Sequence, residues 1–158
     1  MVLGYEAARQ ALADERLSKD MVAALDPKPG DTVLELAAGT GDTGYAAVAA
    51  IGEQGKLIST DFSQGMVEVA RDRAATVGIT NAEFRQMDAE SMGLPDASVD
   101  AIVCRWGFML MLDPQAALRE CHRVLKPGGR LGFSVWGGPE KNAWVTLYGM
   151  VMTQQGYP

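Results

Sequence analysis

Directly after the apolar run TVLELA (residues 32–37) the chain reads AAGTGDTG (residues 37–44), in which Gly39, Gly41 and Gly44 keep the G-x-G-x-x-G spacing. Glycines at this spacing let a strand turn sharply into a helix and let the backbone approach a ligand closely, while the helix start favours a negative ligand group. Asp61 follows Gly41 by 20 residues, the offset at which an acid meets the ribose hydroxyls of a bound nucleotide. A plain strand-to-helix turn is the simpler alternative. Two ligand classes satisfy the pattern: a nicotinamide dinucleotide, and S-adenosylmethionine, which has a ribose but no diphosphate. Glu35, inside the apolar run, bears on the choice. A carboxylate near the end of a central strand is costly to bury without donors. Loop amides or a ligand ammonium would supply them, and a diphosphate would repel the acid. Backbone amides or water alone would also suffice.

The order strand, loop, helix repeats along the chain. Ala8, Leu12, Leu17, Val22 and Leu25 stand at helical spacing with a break near Ser18, which predicts two helices before Asp26, the second capped by Ser18. DPKPGD (26–31) is a turn, because two prolines and a glycine continue neither helix nor ladder. After the strand at 32–37, the spacing predicts a helix over 43–51, the strand KLIST (56–60) closed by Asp61, and a helix capped by Ser63 that runs to Val77 and stops at Gly78. Strands follow at AEFRQ (82–86) and VDAIVC (99–104), then a helix with Asp113 as N-cap and Pro114 first in line, ending at Val124. KPGG (126–129) turns into the strand RLGFSVW (130–136). Five short strands separated by helices imply an α/β fold, an open parallel sheet with helices on both faces, whose ligands bind outside the carboxyl ends of the strands.

At 158 residues the chain is expected to be one domain. Its 20 acidic and 14 basic residues leave a net charge of -6, the wrong sign for a nucleic-acid partner. Hydrophobic residues at 47% and charged residues at 22% exclude a disordered or fibrous chain. Cys104, Cys121 and the single histidine His122 lack zinc-ligand spacing, so no metal is expected and both thiols are read as reduced. The start of the chain, MVLGYEAARQALADERL, has no apolar run of signal-peptide length, and no later stretch reaches membrane-span length. The expected compartment is the cytoplasm.

The run VLELAAGTGD resembles the first motif of class I S-adenosylmethionine-dependent methyltransferases, acid-x-Gly-x-Gly-x-Gly, with Glu35, Gly39 and Gly41 matching and Ala37 in place of the first glycine. The likeness continues in TDFSQGMVEVAR (60–71), FRQMDAESMGLPDASVDAIVCRWG (84–107) and ECHRVLKPGGRLGFSVW (120–136). The nearest branch is the small-molecule methyltransferases that resemble the ubiquinone and menaquinone biosynthesis enzymes. The resemblance implies a Rossmann-like sheet of order 3-2-1-4-5 and S-adenosylmethionine as cofactor. Glu35, Ala37, Gly39 and Gly41 would form its loop. Asp61 would accept from both ribose hydroxyls, Phe62 and Met66 would pack on the adenine, and Asp88 with the Ala89 backbone would meet the adenine amino group. Met66 as core, or Asp88 as a loop cap, is the structural alternative.

The implied reaction is in-line transfer of a methyl group to a small organic acceptor, which needs alignment and exclusion of water rather than a metal or covalent residue. CRWGFMLMLDP (104–114) follows the fourth strand, so Arg105 is expected on the cofactor side, and Trp106, Phe108 and Trp136 toward the acceptor. Phe108 as core is the competing assignment. Tyr5 is a further candidate to close the pocket. His122 falls in mid-helix, away from the ligand ends of the strands, and its neighbour Cys121 points elsewhere, so no general base is assigned. An NAD-dependent oxidoreductase and a non-catalytic S-adenosylmethionine-binding module remain as rivals. Relative to the resembled family the chain reads as C-terminally truncated, without the final antiparallel hairpin. An uncapped edge at 130–136 and an amphipathic helix over 142–155, with Trp144, Leu147, Tyr148 and Val151 on its apolar side, would then favour self-association.

Overall fold

The computed structural model describes residues 15–156. Helix α1 (Glu15–Leu25) leads into β1 (Thr32–Leu36), α2 (Asp42–Ile51), β2 (Lys56–Asp61), α3 (Gln64–Thr76), β3 (Ala82–Gln86), β4 (Val99–Arg105), α4 (Pro114–Val124), β5 (Leu125–Ser134) and α5 (Ala143–Gln154). All four strand pairings are parallel, in the expected order β3-β2-β1-β4-β5. Alternation along the central strands divides the core. Leu34, Leu36, Ile58, Ile102 and Cys104 face α4 and its Ala117, Cys121 and Val124. Val33, Leu57, Ala101 and Val103 face α1 and α2 through Val22, Leu25, Ala47 and Ile51. Each such aliphatic side chain contributes about 1.5–3 kcal/mol. Together they hold the carboxyl ends of β1, β2 and β4 in fixed relation. Among the described residues no helix is long and apolar enough to cross a membrane.

Several local expectations need correction. Ser18 does not cap a helix: it lies inside α1, 2% exposed, and its hydroxyl pairs with that of Thr43 at 3.0 Å. The helix proposed before it falls outside the described residues, as does Tyr5. Ser63 stands at the start of α3 without a side-chain cap bond; its own N–H donates instead to Asp61 Oδ1 at 2.8 Å. Asp113 does cap α4, accepting from Ala116 N–H at 3.0 Å. KPGG is not a turn ahead of β5 but a detour inside it. Val99 pairs with Leu125 and Ala101 with Arg130, so residues 126–129 loop out with Gly128 at φ +82°. The strand ends at Ser134, short of Val135 and Trp136. β5 is an outer strand, as expected. The last helix forms where expected, over Ala143–Gln154; Leu147, Tyr148, Met150 and Val151 are exposed on it, and the Trp144 side chain is outside those described.

Gly44 in α2 shows how tightly this frame is set. A Cβ there would meet the Glu35 carboxylate and stand 2.9 Å from Leu57 Cδ2, whereas one on Gly65 in α3 would find nothing nearer than Ser63 Oγ at 3.8 Å. Gly65→Ala is expected to stabilise by ~0.4–1 kcal/mol through the unfolded chain. Gly44→Ala is expected to destabilise by ~1–3 kcal/mol despite its helical position. Urea denaturation of the two variants, compared with the parent, checks this opposition.

Candidate functional site

At the carboxyl ends of the strands, where the order reverses between β1 and β4, lies a cavity of about 680 Å³. Its floor is the loop from β1 to α2, held from three sides. From beneath, Glu35 accepts from Gly44 N–H at 2.6 Å and from Ser59 Oγ at 2.7 Å. The parallel register makes Ser59 the cross-strand partner of Glu35, so the two share a face. From β2, Asp61 Oδ2 accepts from Gly39 N–H at 2.8 Å. From α3, Arg73 donates to Thr40 O at 2.6 Å and to Asp42 Oδ1 at 2.9 Å. The donors to Glu35 are therefore the protein's own. Ser59 and Arg73 escaped the sequence reading, since only strand register and the α3 contact bring them to the loop.

The loop backbone is left-handed at Ala37 (φ +50°), Gly39 (φ +55°) and Gly41 (φ +88°). Ala37 tolerates this at a cost of order 1–3 kcal/mol, and its Cβ sits where any side chain on Gly107 would collide. Trp106 is left-handed too, at φ +60°. Its N–H donates to Ser134 O at 2.9 Å, which carries the ladder past the end of β4.

Of the residues singled out from sequence, Glu35, Ala37, Gly39, Asp61, Phe62, Met66, Asp88, Ala89, Arg105 and Trp106 line the cavity. Gly41 does not: it is buried at the start of α2, where a Cβ would strike the Tyr45 ring, so its part is the turn itself. Phe108 is core, 6% exposed and edge-on to Phe133 with centroids 5.1 Å apart. The short 3₁₀ turn Phe108–Leu110 that follows Gly107 swings it under the sheet. That same turn carries Leu110, with Met111 and Leu112 after it, to the cavity wall. Leu112 is 98% exposed. Trp136 is outside the lining and stacks behind Trp106, centroids 5.5 Å apart and planes 7° from parallel. Asp42, Thr40, Thr43 and Met87 also line the cavity; Asp42 was legible only as an acid opening a helix.

The titratable groups define the chemistry available. Burial pushes Glu35 up to about 7, against the opposing pull of Ser59, Gly44 and Arg105. Burial likewise raises Cys104 to about 11 and Cys121 to about 12, so neither thiol is a ready nucleophile. His122 is exposed on α4 and lies off the cavity. Among the described residues no histidine, cysteine, lysine or tyrosine lines the cavity, and no cluster of three His, Cys, Asp or Glu side chains is placed to hold a metal.

Residues 33–129 match the family described as Methyltransferase domain. A curated relative, the ubiquinone/menaquinone biosynthesis C-methyltransferase UbiE of Francisella tularensis subsp. novicida, is 40% identical over 114 residues, covering 72% of this chain and 46% of that protein. The chain thus spans about half the length of the curated relatives it matches. Among solved structures, a SAM-dependent methyltransferase from Aquifex aeolicus superposes with TM-score 0.73 at 26% identity, covering 94% of this chain and 82% of that one. The cyclase SpnF superposes with TM-score 0.70 at 32% identity, covering 77% and 44%.

Because Glu35 holds its proton more tightly in the folded chain, the stability it contributes is complete below the ordinary glutamate value of 4.5 and is lost as pH rises through about 7. Glu35→Gln keeps an acceptor for Gly44 N–H and removes the titration. Urea stability of the parent is expected to fall relative to this variant across that window, by up to ~1.4 kcal/mol per pH unit. Parallel pH curves would refute the assignment.

Proposed function

The chain belongs to the methyltransferase domain family, and from that premise we propose that its cavity binds S-adenosylmethionine and serves methyl transfer to a small organic acceptor. The Asp61 carboxylate carries the reading. It lines the cavity at the end of β2 and spends one acceptor position on Gly39 N–H and one on Ser63 N–H. A carboxylate offers about four such positions, so two remain for a pair of ribose hydroxyls. Phe62 and Met66 offer apolar surface beside it, and Asp88 with Ala89 bounds the far side over β3. Gly39 at the floor leaves room for the amino-acid arm of the nucleoside. When bound, S-adenosylmethionine supplies an activated methyl group on a sulfonium sulfur.

The residues do the rest by placement. Trp106, Leu110, Met111 and Leu112 make the mouth apolar, which excludes water from an acceptor and holds it against the floor. Holding two reactants in line is worth up to ~7–11 kcal/mol, so a transfer of this kind does not depend on a strong base. An NAD reading fits the same wall poorly, because Asp42 lines the cavity at the start of α2, where a diphosphate would have to lie. UbiE and the Aquifex enzyme support the methyl-transfer reading through their own described activities.

Thermal denaturation with S-adenosylhomocysteine and NAD in parallel tests the cofactor. A ligand at 100 times its dissociation constant adds about 2.7 kcal/mol, and only the first is expected to do so. Asp61→Ala loses two charged hydrogen bonds worth ~1.5–3 kcal/mol each and should weaken S-adenosylhomocysteine at least 100-fold in calorimetry. Unchanged affinity in that variant would remove the ribose assignment.

A further inference from the structure

The apolar wall at the cavity mouth has little packing to hold it. Leu110 is 77% exposed and Leu112 98%, and of residues 110–112 Met111 is the one that packs against the core. A segment with so few buried contacts keeps its place through its backbone bonds. Leu110 N–H donates within its own turn, to Gly107 O at 2.9 Å. Leu112 N–H and Asp113 N–H reach out of the segment, and both donate to Glu90 Oε1, at 2.8 and 3.1 Å. Glu90 stands in the connection after β3 and lines the same cavity.

The start of α4 shows why that carboxylate is needed. In a capping box the N-cap side chain accepts from the N–H of the third helical residue, whose own Glu or Gln side chain accepts from the N-cap N–H. Asp113 makes the first of these bonds, to Ala116. Ala116 has no side-chain acceptor to return the second, so Glu90 supplies it from 23 positions earlier, where an anion is also favoured by the helix start. Glu90 is itself held from the other side of the cavity. Its N–H donates to Asp88 Oδ1 at 2.9 Å, and Ser91 N–H closes the same turn on Asp88 O at 3.1 Å. Three consecutive residues thus join two walls: Asp88 and Ala89 border the nucleoside side, and Glu90 carries the backbone of the apolar mouth.

We propose that Glu90 is a positioning residue that ties the apolar mouth segment to the nucleoside side of the cavity, so that a nucleoside bound there orders the wall an acceptor lies against. The choice of nucleoside rests on the S-adenosylmethionine reading above; the tie itself does not. A ligand on Asp88 and Ala89 fixes the turn from which Glu90 projects, and the restraint passes through two backbone bonds to Leu112 and Asp113. Amide hydrogen exchange of the chain, with and without S-adenosylhomocysteine at about 100 times its dissociation constant, tests both parts. Without ligand, Leu112 and Asp113 should exchange about 10–100-fold faster in Glu90→Ala than in the parent, as expected for loss of a charged hydrogen bond, with the β1 and β4 amides unchanged. Glu90→Gln keeps an acceptor of the same reach and should recover part of the protection. S-adenosylhomocysteine should slow both amides in the parent by roughly threefold or more and leave them unslowed in Glu90→Ala, while calorimetry still detects its binding to that variant. Three results overturn the proposal: faster exchange throughout Glu90→Ala, which makes Glu90 a general stabiliser; equal slowing in parent and variant, which routes the effect elsewhere; and loss of binding to the variant, which makes Glu90 a ligand contact. If the ligand binds the parent and its two amides do not respond, the coupling is overturned and the cofactor reading stands. If the parent does not bind S-adenosylhomocysteine, the cofactor reading fails and the coupling falls with it, and the ligand-free comparison decides whether Glu90 holds the mouth.

Discussion

A carboxylate only 2% exposed between two strands and a helix start survives because Gly44 N–H and Ser59 Oγ both donate to it. Removing an ion from water costs several kcal/mol, and two charged hydrogen bonds return ~1.5–3 kcal/mol each. Burial outweighs the donors, which is why the Glu35 carboxyl is pushed up to about 7 rather than staying in the ordinary carboxylate range. The geometry that results is not negotiable. Gly44 must lack a side chain, Ser59 must face the same side as Glu35, and α2 must begin at a fixed distance above β1. Everything above the loop, including the Asp61 brace and the Arg73 latch, is aligned to that joint.

Period and punctuation made the architecture legible. AEFRQ is β3 residue for residue, and Asp113-Pro114 opens α4 as expected. Errors arose where tertiary contacts overrode local chemistry. Ser18 has the composition of a cap, but burial against Thr43 inside a continuous helix was the better use of its hydroxyl. KPGG has the composition of a turn, yet Leu125 pairs before it and Arg130 after it, so the ladder closes around the detour.

The candidate site divides along the same line. Asp61, Phe62 and Asp88 could be located because the motifs that carry the family resemblance place them at or just past the ends of β2 and β3, and strand ends define the cavity rim. CRWGFMLMLDP could not be sorted residue by residue. Its apolar positions have no period, and one 3₁₀ turn sends Phe108 into the core while Leu110 and Leu112 are exposed at the wall. Glycine spacing likewise marked Gly39 and Gly41 alike, although Gly39 faces the cavity and Gly41 only permits the turn. Ser59 and Arg73 had no local signal, since their roles come from register and from a helix packed across the loop.

The looped-out residues 126–129 occupy the opposite end of the sheet from the cavity. Lys126 is committed to Asp100 at 2.8 Å, but Pro127 and Gly128 are exposed, and Gly128 already carries a left-handed backbone. Chain added between those two positions would lengthen a detour that the ladder has already excluded from pairing, and exposed turns of this kind accept insertions readily. That makes the bulge a natural port for a fluorophore-bearing loop or a tether, through which binding at the cavity could be followed without touching a strand end.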